Sequence, residues 1–328
     1  MTGSPDPQAT TGRQGGTQPT PRPSATEATI RQCVVRIGDP DAAAHSTNGR
    51  SRLFLLLREI ARFGVSDVLL LQEQPDFPAD CPSKLRVERV AVPPGAGTAA
   101  ALWQVRDRLH ERFLLSADAT PFGWNLARLL ADAARDDATV LARLPTQGEI
   151  GVFRQAVTAW LQPPRPFRTE ILPLLAERGL LRRTALPDAD ALPPPRRKAL
   201  FLDRDGVLNI DHGYVGSRDR FEWTDGALAA IRHATETGWH VFIVTNQSGV
   251  ARGLYSEAAV RDLLAWMADQ ARAAGGTIDD VRYCPFHPDA LVAAYRQAHP
   301  WRKPLPGMLL DLIHAWDLDP AQAVMVGD

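Results

Sequence analysis

Residues 198–207 read KALFLDRDGV, and no other stretch constrains the chain as tightly. The apolar run at 199–202, closed by a glycine turn, predicts a buried strand of a parallel sheet. It delivers two carboxylates, Asp203 and Asp205, to the C-terminal end of that strand. In open α/β sheets this edge is where ligands bind. Two acids so close repel each other unless positive charge lies between them. A divalent metal held by oxygen ligands, with one carboxylate left to act as nucleophile, answers that repulsion.

The rest of the chain supplies the setting. A length of 328 residues suggests about two domains. The charge is nearly balanced, with 37 basic and 38 acidic residues, so neither a nucleic-acid nor a membrane-surface partner is expected. No apolar run approaches the ~18 residues of a membrane span, and the N-terminus has no apolar core of a secretory signal. Three widely spaced cysteines, Cys33, Cys81 and Cys284, argue for a reducing compartment, and a cytoplasmic protein is expected.

Residues 1–28, rich in Thr, Pro, Gly, Ser and Gln, have little to bury and predict a disordered tail. A first domain is expected over 29–184. It carries strand candidates at 33–37, 65–71, 85–92 and 112–116, and helices at 52–63, 99–109 and 123–134. Gly64 closes the first of these helices. Strands alternating with helices imply βαβ units. Residues 185–197, with four prolines in 13 residues, form a stiff linker. The second domain, 198–328, repeats the alternation: strands at 199–202, 239–244, 277–284 and 323–327, helices at 225–237, 256–274 and 308–316. The expected fold class is α/β: two Rossmann-like three-layer domains with mainly parallel sheets.

Three strand ends of the second domain carry polar chemistry: Asp203 and Asp205, then Thr245 and Asn246, then Asp328, with Lys303 in the loop before the last. A hydroxyl followed by polar residues and a glycine at a strand end makes a phosphate-oxygen site. The ordered motifs FLDRDGVLN, DHGYV, VTNQSGVARG, CPFHP, RKPLPGM and MVGD span 198–328. This set resembles the haloacid dehalogenase superfamily of phosphatases and, within it, the D-glycero-D-manno-heptose 1,7-bisphosphate 7-phosphatases. Relatives acting on histidinol phosphate share DRDG, TNQ and RKP; DHGYV and NQSGVARG favour the heptose substrate.

The resemblance implies a Mg²⁺-dependent phosphoric monoester hydrolase. Asp203 would be the nucleophile, Asp205 the acid/base, and Asp203, Asp205 (through its carbonyl) and Asp328 the metal ligands. Thr245 and Lys303 would hold the phosphoryl oxygens. Asp211, His212, Gly213, Tyr214, Asn246, Gln247, Ser248 and Arg302 would contact the sugar phosphate, the small-molecule partner. Two departures are visible. The family's structural zinc site is only partly kept: Cys284 is followed by Phe286 in place of a His, and His299 and Trp301 stand where two Cys are usual. Trp cannot ligate zinc, so Zn²⁺ is not expected. The family also continues past its Gly-Asp, so the domain is expected to be incomplete at its C-terminus, and a catalytically impaired scaffold is the alternative reading.

Residues 31–185 resemble the sugar-phosphate nucleotidyltransferases through ARFGVSDVLLL, PGAGTAAAL and RFLLSADAT. Where that family has a glycine-rich phosphate loop, this chain has RIGDPDAAAHSTNGRSR. One glycine, Gly38, followed by Asp39 and Asp41 is a poor cradle for a triphosphate. Asp118 matches the family's metal-binding acid but stands alone. A non-catalytic domain is expected here, fused to the phosphatase in nucleotide-activated heptose synthesis for surface polysaccharide.

Overall fold

The computed structural model describes residues 30–47, 49–74, 80–119, 121–134, 139–143, 149–184 and 197–327. The expected tail at 1–28, the expected linker up to residue 196, and Asp328 lie outside the described residues.

The first body runs β1 (Gln32–Ile37), α1 (Pro40–Ala44), β2 (Ser46–Thr47), β3 (Arg50–Ser51), α2 (Arg52–Arg62), β4 (Asp67–Gln72), β5 (Arg86–Ala91), α3 (Thr98–Gln104), β6 (Arg112–Ser116), α4 (Ala127–Ala134), β7 (Thr139–Arg143), β8 (Glu149–Arg154), α5 (Leu172–Glu177) and β9 (Leu181–Thr184). Its sheet has the order β5-β4-β1-β6-β8-β7-β9. The first four strands are parallel, as the βαβ pattern predicts. β8 then runs antiparallel to both β6 and β7, and β9 parallel to β7, which makes the sheet mixed. These last three strands were not expected from the sequence pattern. The helix predicted over 123–134 begins only at Ala127, whose backbone N–H donates to Asn125 Oδ1 at 2.9 Å. An Asn side chain used in this way caps a helix.

α2 shows why the local pattern folds as it does. Leu53, Leu56, Leu57 and Ile60 fall on one face and are fully buried. Ser51 Oγ accepts from Phe54 N at 3.1 Å, and Gly64 takes φ +94° just beyond Phe63, where a side chain would be strained. The sheet is covered on both faces. One core gathers α2 and α4 residues, including Leu57, Ile60 and Leu129; the other gathers Leu102, Phe113, Phe153 and Leu175.

The second body runs β10 (Ala199–Leu202), α6 (Ala227–Glu236), β11 (His240–Asn246), α7 (Ser248–Ala251), α8 (Glu257–Ala273), β12 (Asp280–Cys284), α9 (Gly307–Trp316) and β13 (Ala323–Val326). Its sheet is parallel throughout, in the order β12-β11-β10-β13. β10 is therefore central, with α6 and α8 packed on one face and α9 on the other. Among the described residues, no helix is long and apolar enough to cross a membrane.

A buried ionic cluster joins the two bodies. Arg62, from α2, donates from Nε to Asp279 Oδ1 at 2.8 Å and from Nη1 to Glu59 Oε2 at 2.9 Å. Its Nη2 reaches Trp239 O and Thr277 Oγ1. Glu59 also holds Arg197, the last residue of the expected linker, at 3.1 Å, and both are buried. On the far side, Asp279 Oδ2 accepts from Val241 N and lies 2.8 Å from His240 Nδ1. Burial alone would raise the Asp279 carboxyl; Arg62 and the His240 hydrogen bond instead hold it well below the usual carboxylate range. Burial pushes His240 down to about 4, so its ring is neutral and Nδ1–H donates to Asp279.

Candidate active site

The site is built at the C-terminal ends of β10 and β11. The Asp203 backbone N–H donates to Val326 O at 2.9 Å, which continues the β10–β13 ladder by one residue and fixes where its side chain emerges. Asp203 Oδ1 accepts from Arg204 N at 2.7 Å, and Oδ2 is in direct contact with Lys303 Nζ. The ammonium partly offsets the repulsion between the paired acids.

Lys303 is held by a reciprocal pair of hydrogen bonds. Its N–H donates to Asn246 Oδ1 at 3.0 Å, and Asn246 Nδ2 donates to Lys303 O at 3.2 Å. This clasp ties the loop before α9 to the end of β11. Gln247 works in the same way. Its Nε2 reaches Thr245 Oγ1 at 2.9 Å and Asp205 Oδ2 at 3.1 Å, while its Oε1 accepts from Tyr255 O–H at 3.0 Å. Thr245 and Gln247 are both buried at 1% exposure. Asn246 and Gln247, both expected to touch substrate, hydrogen-bond the site's own residues in this structure.

Asp205 faces inward. Its carboxylate accepts from Arg204 Nη2 at 2.7 Å, Arg204 Nε at 3.1 Å and Asn209 Nδ2 at 3.2 Å. Arg204 is fully buried, with Nη2 also donating to Val215 O at 2.6 Å. It sits between the two acids in the chain and locks one of them.

The 211–215 segment forms an exposed rim. Asp211 Oδ1 accepts from Gly213 N at 2.9 Å, and His212 Nε2 lies 3.2 Å from Glu222 Oε2. Arg220 donates to three consecutive carbonyls, those of His212, Gly213 and Tyr214. Tyr214 is 44% exposed at φ +50°, and the Arg252 guanidinium lies over its ring at 5.6 Å. Tyr255 packs where a Cβ on Gly216 or Gly249 would come within 2.2 Å of its ring, so both positions require glycine. Ser248 opens α7 beside this rim. Arg302 precedes Lys303 and donates to Phe286 O at 3.4 Å. The sequence reading missed Arg204, Asn209, Arg220, Arg252 and Tyr255. Of these, only Arg204 had a visible signal, its place between the two acids.

D-glycero-beta-D-manno-heptose-1,7-bisphosphate 7-phosphatase from Rhodopseudomonas palustris is 52% identical over 134 residues, covering 41% of this chain and 74% of that protein. The chain belongs to the family of heptose 1,7-bisphosphate 7-phosphatases. A solved structure of D,D-heptose 1,7-bisphosphate phosphatase from B. bronchiseptica, complexed with magnesium and phosphate, is 39% identical, covers 40% of this chain and 70% of that one, and has a TM-score of 0.37. Solved structures that share little sequence with the chain are also similar to it. One of them, 4-diphosphocytidyl-2C-methyl-D-erythritolsynthase from Anaerococcus prevotii, is 11% identical and covers 50% of this chain and 92% of that one, with a TM-score of 0.39. No family model matches the chain.

In this heptose phosphatase family member, the donor chemistry at β10 suits a hard cation. Asp203 and Asp205 offer only carboxylate and carbonyl oxygens, the ligands that Mg²⁺ takes. Among the described residues no cluster of three His, Cys, Asp or Glu gathers to hold a metal, and Asp328, the expected third ligand, lies outside them. The loop where zinc was considered is packed with rings. Phe286 stacks on His299 at 4.6 Å, and His299 meets Trp301 edge-on at 5.9 Å. His287 Nδ1 and His299 Nδ1 each accept a local backbone N–H.

Proposed function

We propose that the chain is a Mg²⁺-dependent phosphatase that removes the 7-phosphate of D-glycero-D-manno-heptose 1,7-bisphosphate, with the β anomer after which its relatives are named. The observation that carries this reading is the contact of Lys303 with Asp203 at the end of the central strand, next to Thr245 and Gln247.

Asp203 Oδ would attack the phosphorus and form an aspartyl-phosphate while the sugar oxygen leaves. Asp205 would give that oxygen its proton and then take one from the water that hydrolyses the intermediate, releasing inorganic phosphate. To do so it exchanges its Arg204 contacts for the leaving oxygen. Lys303 and Thr245 would bind the equatorial oxygens as charge develops on them. Asp203, the Asp205 carbonyl and Asp328 would hold Mg²⁺, which when bound screens the approach of a carboxylate to an anionic phosphate. His212 and Tyr214 on the rim would meet the sugar, and Arg302 can grip the second phosphate with its planar fork.

The first body serves a structural role in this reading, in a cytoplasmic enzyme of nucleotide-activated heptose synthesis. Its Arg36 supports that view. Near the C-terminal end of β1, it donates to Ala96 O at 2.7 Å and pairs with Glu73 at 3.3 Å. A Cβ on Gly38 would come within 2.6 Å of it. The deciding assay is phosphate release from heptose 1,7-bisphosphate and from histidinol phosphate. Turnover should be faster with the heptose; a preference for histidinol phosphate would replace the substrate, and no release from either would leave a scaffold.

A further inference from the structure

A cleft of about 800 Å³ opens between the two bodies, and none of Asp203, Asp205, Thr245 or Lys303 lines it. Its walls are α2 and residues 81–84 on one side, and α8, β12 and the end of α9 on the other. Volumes of about 300–1,000 Å³ at a domain interface are typical of small-molecule sites.

The cations here are matched, with one exception. Arg50 holds Asp80, Lys84 holds Asp280, Arg261 holds Glu257, Arg272 holds Asp269, and Arg282 holds Asp280 and Asp311. Arg58 has no carboxylate in contact among the described residues. The neighbouring Glu59 is already taken by Arg62 and Arg197. The Arg58 guanidinium lies over the Trp316 ring at 5.2 Å and reaches Phe54 at 6.0 Å, and its Nε is buried with no hydrogen-bond partner. Burial pushes Arg58 below its ordinary value, and the nearby Arg197 and Arg62 act in the same direction against the pull of Glu59.

A guanidinium stacked on an aromatic ring keeps its in-plane N–H donors for a bidentate oxyanion. The exposed pairs around it are weak and can yield a cation to a dianion: Arg50 is 43% and Arg261 59% exposed. Leu264, Ala265 and Ala268 of α8 line the cleft and provide an apolar wall.

We propose that this interdomain cleft binds a small organic phosphate monoester, with its phosphate on Arg58 and its organic part against α8 and Trp316. The site is separate from the phosphatase centre and does not rest on the function proposed for it. The test is calorimetric titration of the full chain with adenosine 5′-monophosphate, glucose 1-phosphate and inorganic phosphate. One of the two organic probes should bind saturably, one per chain, and more tightly than inorganic phosphate. A nucleotide ligand is indicated if adenosine 5′-monophosphate is preferred, a sugar phosphate if glucose 1-phosphate is. Arg58→Gln should weaken that binding by at least about tenfold, the scale of a lost charge-assisted hydrogen bond, and Lys303→Met should leave it unchanged. Three results overturn the proposal: no saturable binding of either organic probe, equal or tighter binding of inorganic phosphate, or binding lost in Lys303→Met and kept in Arg58→Gln. If Arg58→Gln loses its circular dichroism spectrum, Ala268→Trp fills the cleft from α8 instead, and undiminished binding in that variant also refutes the assignment.

Discussion

Asp203 and Lys303 stand 100 residues apart in sequence and touch in the fold. Neither can be replaced without leaving the other's charge poorly matched at a partly buried site. Asp203→Asn keeps size and shape but removes the nucleophile, so phosphate release should vanish while the thermal unfolding curve stays cooperative; measurable turnover in that variant would disprove the covalent route. Lys303→Met should lower kcat by about 10²–10³, the usual loss when one donor to a developing charge is removed. Asp203 could be picked out because it ends an apolar run, and Lys303 because it lies in the RKPLPGM motif. Gln247 was legible as a site residue, but its three hydrogen bonds to Thr245, Asp205 and Tyr255 were not. Spacing tells which residues reach a strand end. It does not tell which way an amide turns once it arrives.

At the scale of elements, β11 is the bridge of the second body. Its first residue, His240, belongs to the buried ionic cluster, and its last, Asn246, clasps the Lys303 loop. β4, β6, β10 and β11 were legible because buried parallel strands are continuous apolar runs, whereas β9, also parallel, reads LRRT and was not. β7 and β8 escaped because antiparallel pairing was not signalled by any crossover helix. The rim at 211–215 was legible as a motif, but the Arg220 that holds its three carbonyls was not, since a backbone contact leaves no trace in side-chain pattern. Arg220→Ala should therefore loosen the rim and raise KM several-fold, with kcat nearly unchanged, in steady-state assays; an unaltered KM would mean that the rim keeps its shape without Arg220.

For the molecule as a whole, the interface between the bodies is ionic at its centre. Removing one member of a buried pair leaves the other uncompensated, so Arg62→Ala should cost about 3–5 kcal/mol in urea unfolding. A loss below ~1 kcal/mol, the surface-pair level, would mean that water enters the cluster. The same cluster sets a pH response. His240 is held down to about 4 against an ordinary 6.5, so the unfolded chain takes up this proton first as pH falls. Its contribution is complete above pH 6.5 and is lost on acidification toward 4, and Asp279, also held low, adds a further loss below its ordinary 3.8. The urea midpoint should therefore drop between pH 7.5 and pH 5; an equal midpoint at both would show that His240 is charged in the folded state.

Arg62 and Asp279 are 217 residues apart. During synthesis, α2 leaves the ribosome long before its carboxylate partner has been made. Until then Arg62 has Glu59 as its only near counter-charge from the cluster. The amino-terminal half is thus made with an unfinished face, one that closes only when β11 and β12 arrive, and the order of translation becomes part of how this protein assembles.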